Sequence, residues 1–168
     1  MPANTRLGRS PKVPDGTTVI AVGDIHGRLD LLERLTEEIA LEAETVAARG
    51  GSLATIFLGD YIDRGPDSAA VIDHLIRFRD QAACETIFLR GNHEDALISL
   101  TEGLSETAHW LEFGGRETLK SYGVGERAIK DDLAALRSQI GLAIPAAHLQ
   151  FLRGTEVWVE VGDYLFVH

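Results

Sequence analysis

The chain has 168 residues, 45% apolar and 25% charged, a composition that suits one soluble globular domain with a sizeable core. Its formal net charge of −10 argues against binding to nucleic acid polymers or anionic membranes, which depends on basic surface. A single cysteine excludes an intrachain disulfide, and no run of roughly 18 apolar residues offers a membrane span.

Residues Met1 to Asp15 are polar, carry three prolines and lack the apolar centre of a secretory signal. Residues 1–16 are expected to be a flexible or loosely docked lead-in to one domain over 17–168, and the expected compartment is the cytoplasm. Thr17 to Val22 reads as a buried strand. Leu29, Leu32, Leu35, Ile39 and Val46 then recur at helical spacing until Gly50-Gly51. Leu53 to Leu58 is the second strand. A second helix opens at Pro66-Asp67-Ser68 with Val71, Ile72, Leu75 and Ile76 on its apolar face. Cys84 precedes the third strand, Thr86 to Arg90, and is expected to be packed or half-exposed rather than reactive. This alternation predicts parallel βαβ units in an α/β fold. From Glu94 to about Gly154 the pattern turns helical. Pieces are predicted over Glu94–Thr101, Thr107–Phe113, Arg116–Tyr122, Glu126–Ile140 and Pro145–Leu152, as an insert beside the strand tips. Glu156–Val161 and Tyr164–His168 flank Gly162-Asp163 and predict a hairpin.

Each of the three strands runs into glycine and a small metal-binding residue. The tips read Gly23-Asp24-Ile25-His26-Gly27, Gly59-Asp60-Tyr61-Ile62-Asp63-Arg64-Gly65 and Gly91-Asn92-His93-Glu94. Parallel strands place their carboxyl ends on one edge, where such folds bind ligands. Asp24 and His26 offer an oxygen and a nitrogen from one short turn. Asp60 has two oxygens and is suited to bridge two ions. Asn92 offers a neutral carbonyl oxygen, and His168 a further imidazole. Such a mixed set suits manganese, iron, zinc or cobalt better than calcium. Two such ions flank an in-line displacement at phosphorus and bring the pKa of a bound water near neutrality. His93 is the candidate general acid, with Asp63 placed to orient it and favour its charged form. Arg64 and Arg90 have planar forks suited to phosphate oxygens.

A lone aspartate after a strand is usually a turn residue or helix cap. Three such motifs at successive strand tips are not explained that way. Glu94 either orients an arginine or favours the next helix start, and Arg116 either reaches the cleft or opens a solvated helix. His74, His109 and His148 stand in predicted helices without a partner motif, and packing is the expected role for them. Trp110, with Leu111 and Phe113, is expected to be cap core rather than a base-stacking platform.

The three motifs resemble those of the metal-dependent serine/threonine phosphoprotein phosphatases, bacterial branch, within the wider calcineurin-like metallophosphoesterases. Leu165-Phe166-Val167-His168 resembles the start of a fourth family motif. The resemblance implies a calcineurin-like β-sandwich with flanking helices around a βαβαβ metal-binding core, with the helical insert over about 94–154. It implies that Asp24, His26 and Asp60 hold one divalent ion, and that Asp60, Asn92 and His168 hold a second, with manganese expected. His93 and Asp63 would be catalytic, and Arg64 and Arg90 would bind phosphate. The family continues past its fourth motif with more strands and another metal-binding histidine. The chain is therefore expected to be a fragment or shortened relative, with C-terminal strands missing.

The expected activity is hydrolysis of a phosphorylated protein or small phosphoester, with a serine/threonine protein phosphatase foremost. The runner-up is a symmetrical bis(5'-nucleosyl)-tetraphosphatase. That branch tends to end its third motif in Asp and to lack the Asp of Asp-Arg-Gly, so Asp63 and Glu94 favour the protein phosphatase side. A non-catalytic metal-binding remnant is the alternative from another class.

Overall fold

The β-branched runs and the helical periods between them build the core that carries the strand tips. The structure, a computed structural model, describes residues 10–104, 107–129 and 133–168. β1 (Thr17–Val22), α1 (Leu29–Ala48), β2 (Ser52–Phe57), α2 (Ser68–Gln81) and β3 (Glu85–Phe88) follow in order. The strands pair in parallel as β1-β2-β3, with Val22 opposite Phe57 and Phe57 opposite Phe88. All three carboxyl ends therefore lie on one edge. β2 is central and buried from Leu53 to Phe57. β1 departs from the expected buried strand: it pairs only with β2, at the sheet edge, and only Val22 is buried. α1 packs through Leu32, Thr36, Ile39, Ala43 and Val46, one helical face. α2 packs through Val71, Ile72 and Leu75.

After the third tip come α3 (Asn92–Thr101), α4 (Thr107–Trp110), a kinked turn (Leu111–Gly115), α5 (Arg116–Ser121), α6 (Glu126–Ile129), α7 (Leu133–Ala143) and α8 (Ala146–Arg153). α3 starts two residues before its predicted start. Its Glu94 reaches back to accept the Gly91 N–H at 2.9 Å and closes the first turn early. Asn92 and His93 thus become first-turn residues. The predicted break at Gly114-Gly115 is present as a kink: Gly114, at φ 112°, leaves the helical region between α4 and α5. The helix predicted over Glu126–Ile140 is two, and its part over 130–132 lies outside the described residues. Phe151 of α8 meets Phe88 edge-on at 5.0 Å, and Phe88 stacks on Phe57 at 5.0 Å. This aromatic layer fixes α8 beneath the strand tips.

β4 (Trp158–Val161) and β5 (Tyr164–Val167) form an antiparallel hairpin, a separate sheet among the described residues. The predicted strand start at Glu156 is used differently. Glu156 pairs in parallel with the end of β3, donating its N–H to Phe88 O at 2.8 Å and accepting from Arg90 N–H at 2.7 Å. That link aims the hairpin so that β5 returns His168 to the tip edge. The turn of the hairpin is held by residues ahead of β1: Lys12 and Asp163 exchange two bonds, at 2.9 and 3.0 Å. Trp158, Leu165 and Val167 stay exposed. Among the described residues no helix is long and apolar enough to cross a membrane.

Candidate metal and phosphate site

The tips leave the sheet through unusual backbone. His26, Asp60, Asp63 and Arg64 have φ of 44°, 55°, 73° and 66°, the left-handed region. Each such residue costs about 1–3 kcal/mol and persists only where surroundings over-determine it. Here the loops lace together. Asp60 O accepts the N–H groups of Ile25 and His26 at 3.0 and 2.9 Å, and Tyr61 O accepts that of Gly27 at 2.9 Å. Gly59, at φ 112°, lies so close to Gly91 that a Cβ would strike its backbone. Glu94 completes the lacing. Its buried carboxylate accepts from Asp60, Gly91, Tyr61 and Ile62 N–H groups, at 2.8, 2.9, 2.8 and 3.3 Å. Glu94 therefore opens α3 and clamps the second tip to the third; its acceptor bonds go to backbone and not to an arginine. Burial pushes its pKa up to about 7, against the pull of those donors.

The candidate ligands converge on Asp60. Its Oδ2 lies 3.6 Å from His26 Nε2, and its Oδ1 lies 3.4 Å from His168 Nε2. Asp24 Oδ2 is 3.7 Å from His26 Nε2, and Asn92 Oδ1 is 3.1 Å from His168 Nε2. Both imidazoles are oriented from behind. His26 Nδ1 meets Ile62 O and His168 Nδ1 meets Leu58 O, each at 2.9 Å. A carbonyl only accepts, so Nδ1 carries the proton in each ring and Nε2 presents a lone pair. At His168 that lone pair faces the oxygens of Asn92 and Asp60, acceptor against acceptor. At His26 the Nε2 is buried without a hydrogen-bond partner. A buried unsatisfied polar atom costs about 1–3 kcal/mol, and a cation between these groups removes that cost. Ligand atoms of His26, Asp60 and His93, and those of Asp24, Asp60 and His168, each gather within 4.8 Å. Asp24 falls in the second set beside His168 as well as near His26. The donor set fits divalent cations of the transition series.

Beside this cluster, His93 Nδ1 meets Asp63 Oδ2 at 2.6 Å, with both side chains buried. Sequence reasoning missed what holds Asp63. Trp110 Nε1–H donates to Oδ2 at 2.7 Å, and the Thr118 hydroxyl to Oδ1 at 2.5 Å. Ser68 Oγ and Thr118 Oγ1 accept the Asp63 N–H, at 3.0 and 2.8 Å. Trp110 is buried core, as expected, and its ring N–H has this second use. Burial raises the Asp63 pKa, opposed by Thr118, His93 and Trp110. With its Nδ1 proton on Asp63, the His93 ring turns Nε2 toward Asp60 Oδ2, 3.8 Å away, and accepts from Arg64 Nη2 at 3.2 Å. Arg64 is itself fixed by its N–H bond to Gly114 O at 3.2 Å.

Arg90 is not brought to the cluster in this way. Its guanidinium is committed to Arg153 O, Thr155 O and Thr155 Oγ1, at 2.9, 3.2 and 3.2 Å, which ties the end of α8 to the third tip. Arg116 opens α5. Of the remaining histidines, His74 bonds Thr36 Oγ1 at 2.8 Å, and buried His148 contacts Tyr122 Oη and Asp73. His109 packs on the Phe113 ring. Cys84 is half-buried, 3.6 Å from Thr55 Oγ1.

Carboxylates, an amide and imidazoles gathered at the ends of parallel strands, beside an arginine and a buried His–Asp pair, form a candidate metal site. The sequence matches the calcineurin-like phosphoesterases over residues 17–161, and the chain belongs to that family. A zinc-dependent endopolyphosphatase of Saccharomyces cerevisiae is 36% identical over 122 residues, 73% of this chain and 34% of that protein. The serine/threonine-protein phosphatase with EF-hands 2 of Mus musculus is 34% identical over 104 residues, 61% of this chain and 13% of that protein. A crystal structure provisionally described as a diadenosine tetraphosphatase aligns with a TM-score of 0.53 at 22% identity, covering 90% of this chain and 52% of the other. The chain thus spans only 34% and 13% of the two curated relatives.

Proposed function

We propose that the chain is a metal-dependent phosphate monoesterase on the protein phosphatase side of its family, with manganese as the preferred ion. One observation carries this: Asp60 turns one carboxylate oxygen to His26 and the other to His168. Asp24, His26 and Asp60 would hold one ion; Asp60, Asn92 and His168 would hold the other. The pair of ions, when bound, activates the attacking water and neutralises charge at phosphorus.

The chain's own groups supply the rest. Arg64 is the phosphate contact, since Arg90 would have to break three bonds to serve. As the water oxygen bonds to phosphorus, the bond to the leaving oxygen breaks. His93 Nε2 gives that oxygen its proton, with Asp63 orienting the ring and stabilising its charged form. In the structure Nε2 accepts from Arg64. A phosphate that draws the guanidinium away frees this nitrogen to carry the proton. The Asp63–His93 pair and the Glu94 clamp support the monoesterase over the dinucleoside tetraphosphatase, whose branch tends to lack both residue types.

The test is a manganese- or zinc-supplemented assay with an aryl phosphate, a serine phosphopeptide and a dinucleoside tetraphosphate. Release of inorganic phosphate from the two monoesters is expected. Cleavage of the tetraphosphate alone moves the chain to the other branch, and turnover of none of the three sinks the catalytic reading.

A further inference from the structure

A cleft of about 560 Å³ opens beside His93, lined by Arg64, Asn92 and His93 together with His109, Trp110 and Phe113. Small-ligand sites are typically about 300–1,000 Å³. A phosphoryl group at Asp60 and Arg64 leaves most of this volume for the group attached to it. The general acid must touch the leaving oxygen, so the leaving group extends from His93 into this cleft.

The aromatic part of the lining is held in place. Phe113 is 51% exposed, with its ring 4.5 Å from that of His109. Both stand where α4 runs into the kink at Gly114, whose position is locked to the catalytic side. Trp110 bonds Asp63 Oδ2, and Gly114 abuts Arg64 so closely that a Cβ would strike its backbone. The charge of the cleft also selects. Arg64 is the only arginine or lysine in the lining, and the exposed Asp95 carboxylate borders the same space. A leaving group carrying further phosphates would meet that carboxylate without a second fixed cation.

We infer that His109 and Phe113 form a leaving-group subsite for a neutral flat ring, so that the preferred substrates are aryl phosphate monoesters. The subsite rests on the monoesterase reading above. Aromatic pairs contribute beyond their buried area, and a ring seated on Phe113 and His109 should bind about tenfold better than a methyl group.

The experiment compares phenylphosphonate with methylphosphonate by calorimetry on the manganese-loaded chain, since neither can be hydrolysed and leaving-group acidity does not enter. About tenfold tighter binding of phenylphosphonate is expected, with the ratio falling below about twofold in Phe113→Ala. Phe113→Leu keeps apolar area without a flat ring and should also lower the ratio. Equal binding of the two phosphonates by the parent chain overturns the subsite alone, as does a ratio that survives Phe113→Ala or is fully kept by Phe113→Leu. Binding of neither phosphonate overturns the monoesterase reading together with the subsite.

Discussion

Two buried histidines each face an aspartate in this molecule, and only one of them keeps a nitrogen for chemistry. His148 spends both ring atoms on structure. Its Nε2 meets Asp73 at 3.0 Å and its Nδ1 meets Tyr122 Oη at 2.8 Å. Burial, with Asp73 adding to it, raises the Tyr122 pKa, so the phenol keeps its proton and donates. Asp73 is exposed. The result is a pin joining α8, α5 and α2. His93 has the same kind of partner, but Asp63 is buried and held by Trp110 and Thr118. Its other nitrogen faces Arg64 and the Asp60 cluster. A His–Asp contact is therefore not a functional sign by itself. The immobilised carboxylate, and a second nitrogen turned to Arg64 and the ligand cluster, are what separate the two.

The largest effect is expected where the His93 region differs most from the His148 region, at the bridging carboxylate. Asp60→Asn removes a charge shared by both ion positions. Outer partners of metal ligands are worth about 10–100-fold in affinity, so loss of the shared ligand should exceed about 100-fold for both ions and leave no measurable turnover. Metal content after dialysis, with calorimetric titration, checks this. Two tightly held ions in the variant would refute the bridging role.

A paired substitution tests the comparison itself. Asp63→Asn should keep both ions and lower kcat by about 10²–10⁴, the usual contribution of general acid catalysis. The loss should be greatest for leaving groups of high pKa. Asp73→Asn should change kcat less than about twofold, because surface changes away from a site rarely cost more than about 0.5 kcal/mol. Equal losses in the two variants, or an Asp63→Asn loss independent of leaving group, would erase the distinction between the pairs.

What was legible in the sequence follows the same division. The α/β order and the tip motifs are local: glycine and ligand stand within a few residues of one strand end, so Asp24, His26, Asp60 and Asn92 could be placed on one edge from spacing alone. The support of Asp63 is not local. Trp110 and Thr118 lie 47 and 55 residues away and reach it only once α4 and α5 have docked. Arg90 shows a subtler limit. It neighbours the third motif in sequence, but side chains alternate along a strand. Leu89 turns into the core, and Arg90 is left to bond the connection after α8. Hydropathy likewise marked β1 as buried, yet strand order, not composition, puts it at the edge.

A third histidine sharpens the contrast between structural and chemical rings through pH, with the smallest effect. His74 is half-buried between α1 and α2, with Nε2 on Thr36 Oγ1. Thr36 gives its own proton to carbonyls of its helix, so the ring N–H is the donor to it. Burial first, then Arg77, lowers the His74 pKa below its ordinary 6.5, while Glu33 pulls the other way. Between 6.5 and the lower folded value the unfolded chain binds the proton and the folded chain does not. Stability from His74 is thus complete above about pH 6.5 and is lost as pH falls through that window. Urea melts in chelator, where ion loss does not enter, should show the parent chain losing more stability than His74→Gln between pH 7 and pH 5.5. Identical slopes would mean that the ring titrates alike in both states, and that its burial between α1 and α2 does not oppose its charge.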